Sequence, residues 1–252
     1  MIIIIIIIII IIIFLYLQYH KTIMNDDMYD VVWSIPYKTK GNCYVFALAP
    51  KEGYGGYYRS RMFKARPGDK CTEWKNKDYN FKDCSETIKR VLCDNPNHVE
   101  KVPYDEYLHK DVEPDHHLMA ALLSHESPDS DYHFLRRIYT GTVFKHWGHF
   151  EKNMPETCKQ QLFDKRPRYV WAHQRGWSNS GIRIHDSDNN LITDPKKASF
   201  KYKRQHYSNC CGIFKVRTRH ATVSTEYDHF MSPMEWFVLF SLFVVVFLLS
   251  LY

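Results

Sequence analysis

Isoleucine fills every position from Ile2 to Ile13. A β-branched, uncharged run of that kind must enter a membrane or aggregate. The other end of the chain is similar: Trp236 to Tyr252 is apolar apart from Ser241 and Ser250. Each end is about 17 residues, roughly 25 Å as a helix, which suits a thin bilayer of about 27 Å. The C-terminal stretch mixes Phe, Leu and Val, opens on a Trp and ends on a Tyr, the pattern of a spanning helix with interfacial aromatics. It has no polar face, which argues against a buried core helix. The isoleucine run lacks a basic n-region and a small-residue cleavage site, so it does not read as a signal peptide. An expanded codon repeat ahead of a start at Met24 or Met28 would also produce it. The expected organisation is an N-terminal anchor over 1–19, a globular domain over 28–222 and a transmembrane helix over 234–252.

The middle of the 252-residue chain is polar, aromatic and charged, and long enough for one domain with its own core. The net charge of +6 permits an anionic partner without demanding one, and no nucleic-acid partner is expected. Seven cysteines form no C-x-x-C pair, and no Asn-x-Ser/Thr sequon occurs. Both features, with Lys21, Lys215, Arg217 and Arg219 near the anchors, point to a domain in a reducing, cytosol-facing setting.

Taken in order, Tyr29 to Pro36 reads as a short strand. Gly41-Asn42 is a turn-forming pair that delivers Cys43 to the first turn of a short apolar helix, and Pro50 stops it. Gly53 to Gly56 reads as an aromatic loop and Arg66-Pro67-Gly68-Asp69 as a turn. Asp83 with Glu86 three residues on is a capping-box-like helix start, and Asn95-Pro96 ends that helix. Cys84 and Cys93 fall on roughly opposite faces of it, which suits structural roles. His116 to Leu123 reads as a buried strand and Ser130 to Ile138 as the next. In the latter Tyr132, Phe134 and Arg136 share one face, while His133 and Leu135 share the other. Residues 140–167 look like an insertion. Arg168 to His173 is a further strand, and Asp188-Asn189-Asn190 marks a hairpin within 182–195. Cys210 to Val216 closes the core as a last strand, its adjacent cysteines on opposite sides.

Fourteen histidines invite a metal, yet no H-E-x-x-H, H-x-H or C-x-x-C spacing occurs, so no metal is expected. No P-loop or Rossmann fingerprint is present, and no cofactor is expected. A thiol at a helix N-terminus is favoured as thiolate, which makes Cys43 a candidate nucleophile. The plainer alternative is a small buried hydrophobe. A thiol nucleophile needs an imidazole to take its proton and a polar group to hold that imidazole's tautomer. Cys43 on a helix, His133 on a strand and His173 ending a later strand have that order. Asn42, or a backbone N–H at the helix start, would serve the oxyanion.

The strings Asn42-Cys43-Tyr44, Arg66-Pro67-Gly68-Asp69, Asp131-Tyr132-His133-Phe134 and Trp171-Ala172-His173, followed by Asp188 to Pro195 and Cys211 to Phe214, resemble a family of uncharacterised proteins of phages and large DNA viruses. In that family N-C-Y is followed by D-Y-H-F-Y-R, W-S-H-K-P-G, D-x-x-G-x-x-I-x-x-P and a terminal C-G-x-F. The likeness spans about residues 41–216 and rests on the shared order of the motifs. Its Cys, His, His order is in turn similar to NlpC-type and papain-like cysteine peptidases. That resemblance implies an α+β papain-like or NlpC-like domain, with a Cys-bearing helix packed on an antiparallel sheet and terminal transmembrane helices. It implies Cys43 as nucleophile, His133 as base and His173 as orienter, in a thiol hydrolase or acyltransferase of peptidase or amidase type. The substrate would be a peptide, protein or lipid-linked group at a host or virion membrane. Two departures stand out: residues 140–167 separate the histidines, and H-K-P-G here reads His173-Gln174-Arg175-Gly176. In a rival register His117 is the base and His133 the orienter. The non-enzymatic alternative is a virion-membrane or host-interaction protein.

Overall fold

The computed structural model describes residues 42–48, 65–74, 77, 83–124, 131–174, 181–202, 205–218 and 220–222. In chain order the elements are α1 (Cys43–Leu48), α2 (Cys84–Asp94), β1 (Val99–Val102), α3 (Tyr104–Tyr107), β2 (His116–Ser124), β3 (Tyr132–Tyr139), α4 (Thr140–Lys145), α5 (Trp147–Glu151), α6 (Glu156–Lys165), β4 (Tyr169–Gln174), β5 (Ile182–Arg183), β6 (Lys201–Tyr202) and β7 (Gln205–Arg217). The strands form one sheet in the order β1-β7-β2-β3-β4-β5, with β6 paired to β7. Every pairing is antiparallel.

Strand periodicity sorts the core into two layers. Met119, Ala121 and Leu123 of β2, with Tyr132 and Phe134 of β3, face α1 and α2. Leu118, Ala120 and Leu122, with Leu135 and Trp171, face the other way, towards Ile192, Phe200 and Tyr207. The insertion is built from α4, α5 and α6. Val143, Phe150, Cys158 and Leu162 of that insertion pack with Ile138, Val170 and Phe46.

One bulge sets the position of a covalent link. Ala121 pairs with Gly212 but Leu122 pairs with Cys210, so Cys211 is an extra residue in β7. Gly212 sits at φ +141, a backbone state that L side chains avoid. The bulge flips the alternation: Cys211 joins the layer of Phe214, whereas Ile213 lies in the opposite layer. Cys211 therefore meets Cys84 of α2 in a disulfide with Cα atoms 5.0 Å apart. A second disulfide, Cys71–Cys93, ties the 65–74 loop to the end of α2. This pairing of four cysteines removes the cysteine argument for a reducing, cytosol-facing domain.

Asp83 caps α2 as expected, its carboxylate accepting from the Ser85 N–H at 2.7 Å. Glu86 does not close a capping box; it pairs with Arg90 one turn on. At the other end Asp94 ties two other segments, α1 and the 65–74 loop, through three donors. It accepts from the Tyr44 hydroxyl at 2.8 Å, the Gly68 N–H at 2.8 Å and the Lys70 N–H at 2.9 Å. Removing this carboxylate strands those donors in a buried site, so Asp94→Ala should cost about 2–4 kcal/mol. Urea unfolding monitored by circular dichroism measures it.

The α+β papain-like or NlpC-like expectation is corrected. Among the described residues the fold is a mostly antiparallel sheet with few, short helices, the longest being the 11-residue α2. No described helix is long and apolar enough to cross a membrane. The physical reason is where the apolar residues sit: β2, β3 and β7 carry them on both faces, and the helices serve only as covers. The anchors expected over 1–19 and 234–252, the strand over 29–36 and the loop over 53–56 lie outside the described residues.

Candidate functional site

Two of the sequence-derived residues meet. His133 of β3 and His173 of β4 project to the same side of adjacent strands, and His133 Nε2 lies 2.9 Å from His173 Nδ1. The rings are nearly perpendicular, with centroids 4.9 Å apart. His173 Nε2 lies 3.0 Å from the His185 carbonyl, which can only accept, so that nitrogen carries the proton. Burial holds the His173 pKa well below the usual imidazole range, and His133 adds to the effect. The ring is therefore neutral, its Nδ1 is bare, and His133 Nε2–H donates to it. The chain continues: both ring nitrogens of His185 lie 3.0 Å from carbonyls, those of Asp186 and Asn153. Three histidines thus link β3, β4, the hairpin after β5 and the insertion.

Around His133 stand Phe200 and Tyr207, with centroids 5.8 and 5.1 Å away. The Tyr207 hydroxyl donates to Asp131 at 2.8 Å, and the Gln205 amide to the same carboxylate at 3.0 Å. Burial pushes the Asp131 pKa up, and burial with the Asp131 charge pushes the Tyr207 hydroxyl up. Sequence reasoning quoted Asp131 only within a motif and missed Tyr207, Gln205 and His185. Their partners lie far along the chain, 76 positions in the case of Tyr207 and Asp131, so no local spacing shows them.

Cys43 is not part of this group. It belongs to the layer of Tyr132 and Phe134, on the α1 side of the sheet, while His133 contacts the opposite layer. The backbone of β3 stands between them. The thiol points at the Tyr132 carbonyl, with sulfur to oxygen 3.8 Å, and is 4% exposed. Burial pushes its pKa up to about 12, with the Asp131 charge adding, although amides of Phe134 and Tyr44 partly offset this. A helix of six residues in an apolar layer does not overcome that desolvation. The expected thiolate at a helix start is corrected accordingly.

The other two candidates have structural partners. Asn42 caps α1: its carbonyl oxygen accepts from the Val45 N–H at 3.1 Å. Its amide nitrogen donates to the Ala65 carbonyl at 2.8 Å and meets the Tyr132 hydroxyl at 3.2 Å, so both hydrogens are committed and none is left for an oxyanion. His117 is on the α1 side but at the wrong end. Its Nε2 donates to the Ala47 carbonyl at 2.8 Å, closing the C-terminal turn, while Cys43 begins the helix. Four residues of helix separate the two positions, about 6 Å of rise. The Thr218 hydroxyl donates to His117 Nδ1 at 2.9 Å, and burial holds this ring neutral.

Cavities of about 630 and 210 Å³ open at the opposite end of the sheet from the histidine pair. Neither is lined by Cys43, His133 or His173. Among the described residues the only cluster with metal-ligand spacing is Cys71, Glu73 and Cys93, whose two sulfurs are already joined in a disulfide. No protein-family model, curated protein or solved structure matches the chain.

Proposed function

We propose that this chain is a non-catalytic recognition protein held at a membrane by its apolar ends, with Cys43, His133 and His173 serving as core residues. One observation carries the reading: the sheet separates the Cys43 thiol from the histidine pair. The apolar sequences Ile2–Ile13 and Trp236–Tyr252 support the tether. The resemblance to phage and large-DNA-virus proteins supports a virion or host membrane. Two disulfides support placement of the domain on an oxidising face of that membrane.

The second reading is thiol acyl transfer on a peptide, protein or lipid-linked amide or ester. It has one observation in its favour, the preassembled His133–His173 hydrogen bond. It requires Cys43 to cross to the other side of β3. A thiol-reactive electrophile at neutral pH separates the two, with sites mapped by mass spectrometry because Cys158 and Cys210 are also free thiols. The expected result is no labelling of Cys43 in the folded protein, and none gained or lost in His133→Ala. Rapid labelling of Cys43 that His133→Ala abolishes would establish the enzyme.

A further inference from the structure

We infer that the insertion between β3 and β4 is a lipid-docking surface that lays the domain against the membrane holding the chain, an inference that rests on the tethered reading above. The large exposed hydrophobics among the described residues are Tyr139, Phe144 and Phe163, at 56%, 40% and 48% exposure. All three belong to the insertion or its entrance. Phe144 and Phe163 join Trp147 in one cluster: Phe144 to Trp147 is 6.1 Å between centroids, Phe144 to Phe163 is 5.6 Å and Trp147 to Phe163 is 5.3 Å. Single exposed aromatics are ordinary, but Phe144 and Phe163 form a contiguous apolar patch over the half-buried Trp147, which suits a contact surface.

Charge and topology select the occupant. Lys145 follows Phe144 in sequence, Lys165 and Arg166 lie within three residues of Phe163, and all three are exposed, as is Asp164; over residues 140–168 Lys and Arg outnumber Asp and Glu six to three. Exposed aromatic rings on a segment of net positive charge match the bilayer interface, where rings sit at the headgroup level and cations meet phosphates. The insertion leaves β3 at Tyr139 and re-enters β4 at Tyr169, and those two residues pair with each other. Through the register of β2 with β3 and β7, this is the same end of the sheet at which β7 finishes, opposite His116. The described chain stops soon after, at Thr222. Only about 13 residues, up to about 43 Å when extended, separate it from the apolar stretch that begins at Trp236. The tether therefore leaves the domain at the end that carries the aromatic cluster.

The test reconstitutes the full chain in phosphatidylcholine–phosphatidylglycerol vesicles containing a photoactivatable phosphatidylcholine and maps crosslinks by mass spectrometry. The expected result is lipid adducts on peptides carrying Phe144, Trp147 and Phe163, in addition to adducts on the terminal apolar segments. Phe144→Ser/Phe163→Ser, which changes only exposed side chains, should abolish the insertion adducts and keep the terminal ones. Adducts confined to the termini would overturn the docking surface while leaving the tether intact. Absence of adducts everywhere would overturn the tether as well. Protein–protein crosslinks from the cluster to a second copy, or to 236–252 of the same chain, would assign it to that partner instead and overturn the proposal.

Discussion

Replacing His173 with alanine should destabilise the domain by about 3–5 kcal/mol. His173 is fully buried and satisfies two groups at once, the His133 Nε2–H and the His185 carbonyl. Alanine leaves both without a partner in a dry layer and adds a cavity beside Phe200. The same residue gives stability a pH signature. His173 and His117 are both held well below the ordinary imidazole value of 6.5 by burial. The unfolded chain then binds more protons than the folded one below about pH 6.5. Stability from these two rings is complete above that pH and falls on acidification towards their folded values. The slope is about 1.4 kcal/mol per pH unit for each ring, so about 2.7 for the pair. Urea titrations at a series of pH values should show it, and His173→Ala should reduce the slope. A pH slope unchanged by His173→Ala would mean that this ring is not buried as a neutral species.

Loss of the Cys84–Cys211 disulfide should be the other large effect. It joins residues 127 positions apart, against 22 for Cys71–Cys93. By loop-closure entropy the long link contributes about 5 kcal/mol and the short one about 3.5 kcal/mol, as upper estimates. Cys84→Ala/Cys211→Ala should therefore unfold at lower denaturant than Cys71→Ala/Cys93→Ala. The long link also clamps α2 over the bulge in β7, so its loss frees a cover of the core. Thiol titration of the unreduced, denatured protein should find three free thiols, and seven would show that neither bridge forms.

Several elements, though not the fold class, were legible because their signals are local. The Asp83 cap, the Asn95-Pro96 stop, the apolar run at His116 and the turn at Asp188–Asn190 each act within a few residues. The alternation in β3 was legible too, placing Tyr132 and Phe134 on one face and His133 on the other. What no local pattern states is which face α1 covers. That is decided by packing between segments some ninety residues apart, and it put Cys43 with Tyr132 rather than with His133. The helices of the insertion were missed because their apolar positions are sparse, with Val143, Phe150, Cys158 and Leu162 spread over three short elements. The Cys84–Cys211 disulfide was missed because the Cys211 side is set by a bulge, and bulges leave no count in a sequence.

The separation of thiol and imidazole is the centre of this account, and the ring nitrogens report it. Nitrogen-15 NMR of the histidine side chains at neutral pH should show His173 neutral with its proton on Nε2. The spectra of His133 and His173 should be unchanged in Cys43→Ala, because the sheet lies between them. An imidazolium at either position that disappears in Cys43→Ala would reveal a thiolate–imidazolium pair and contradict the account.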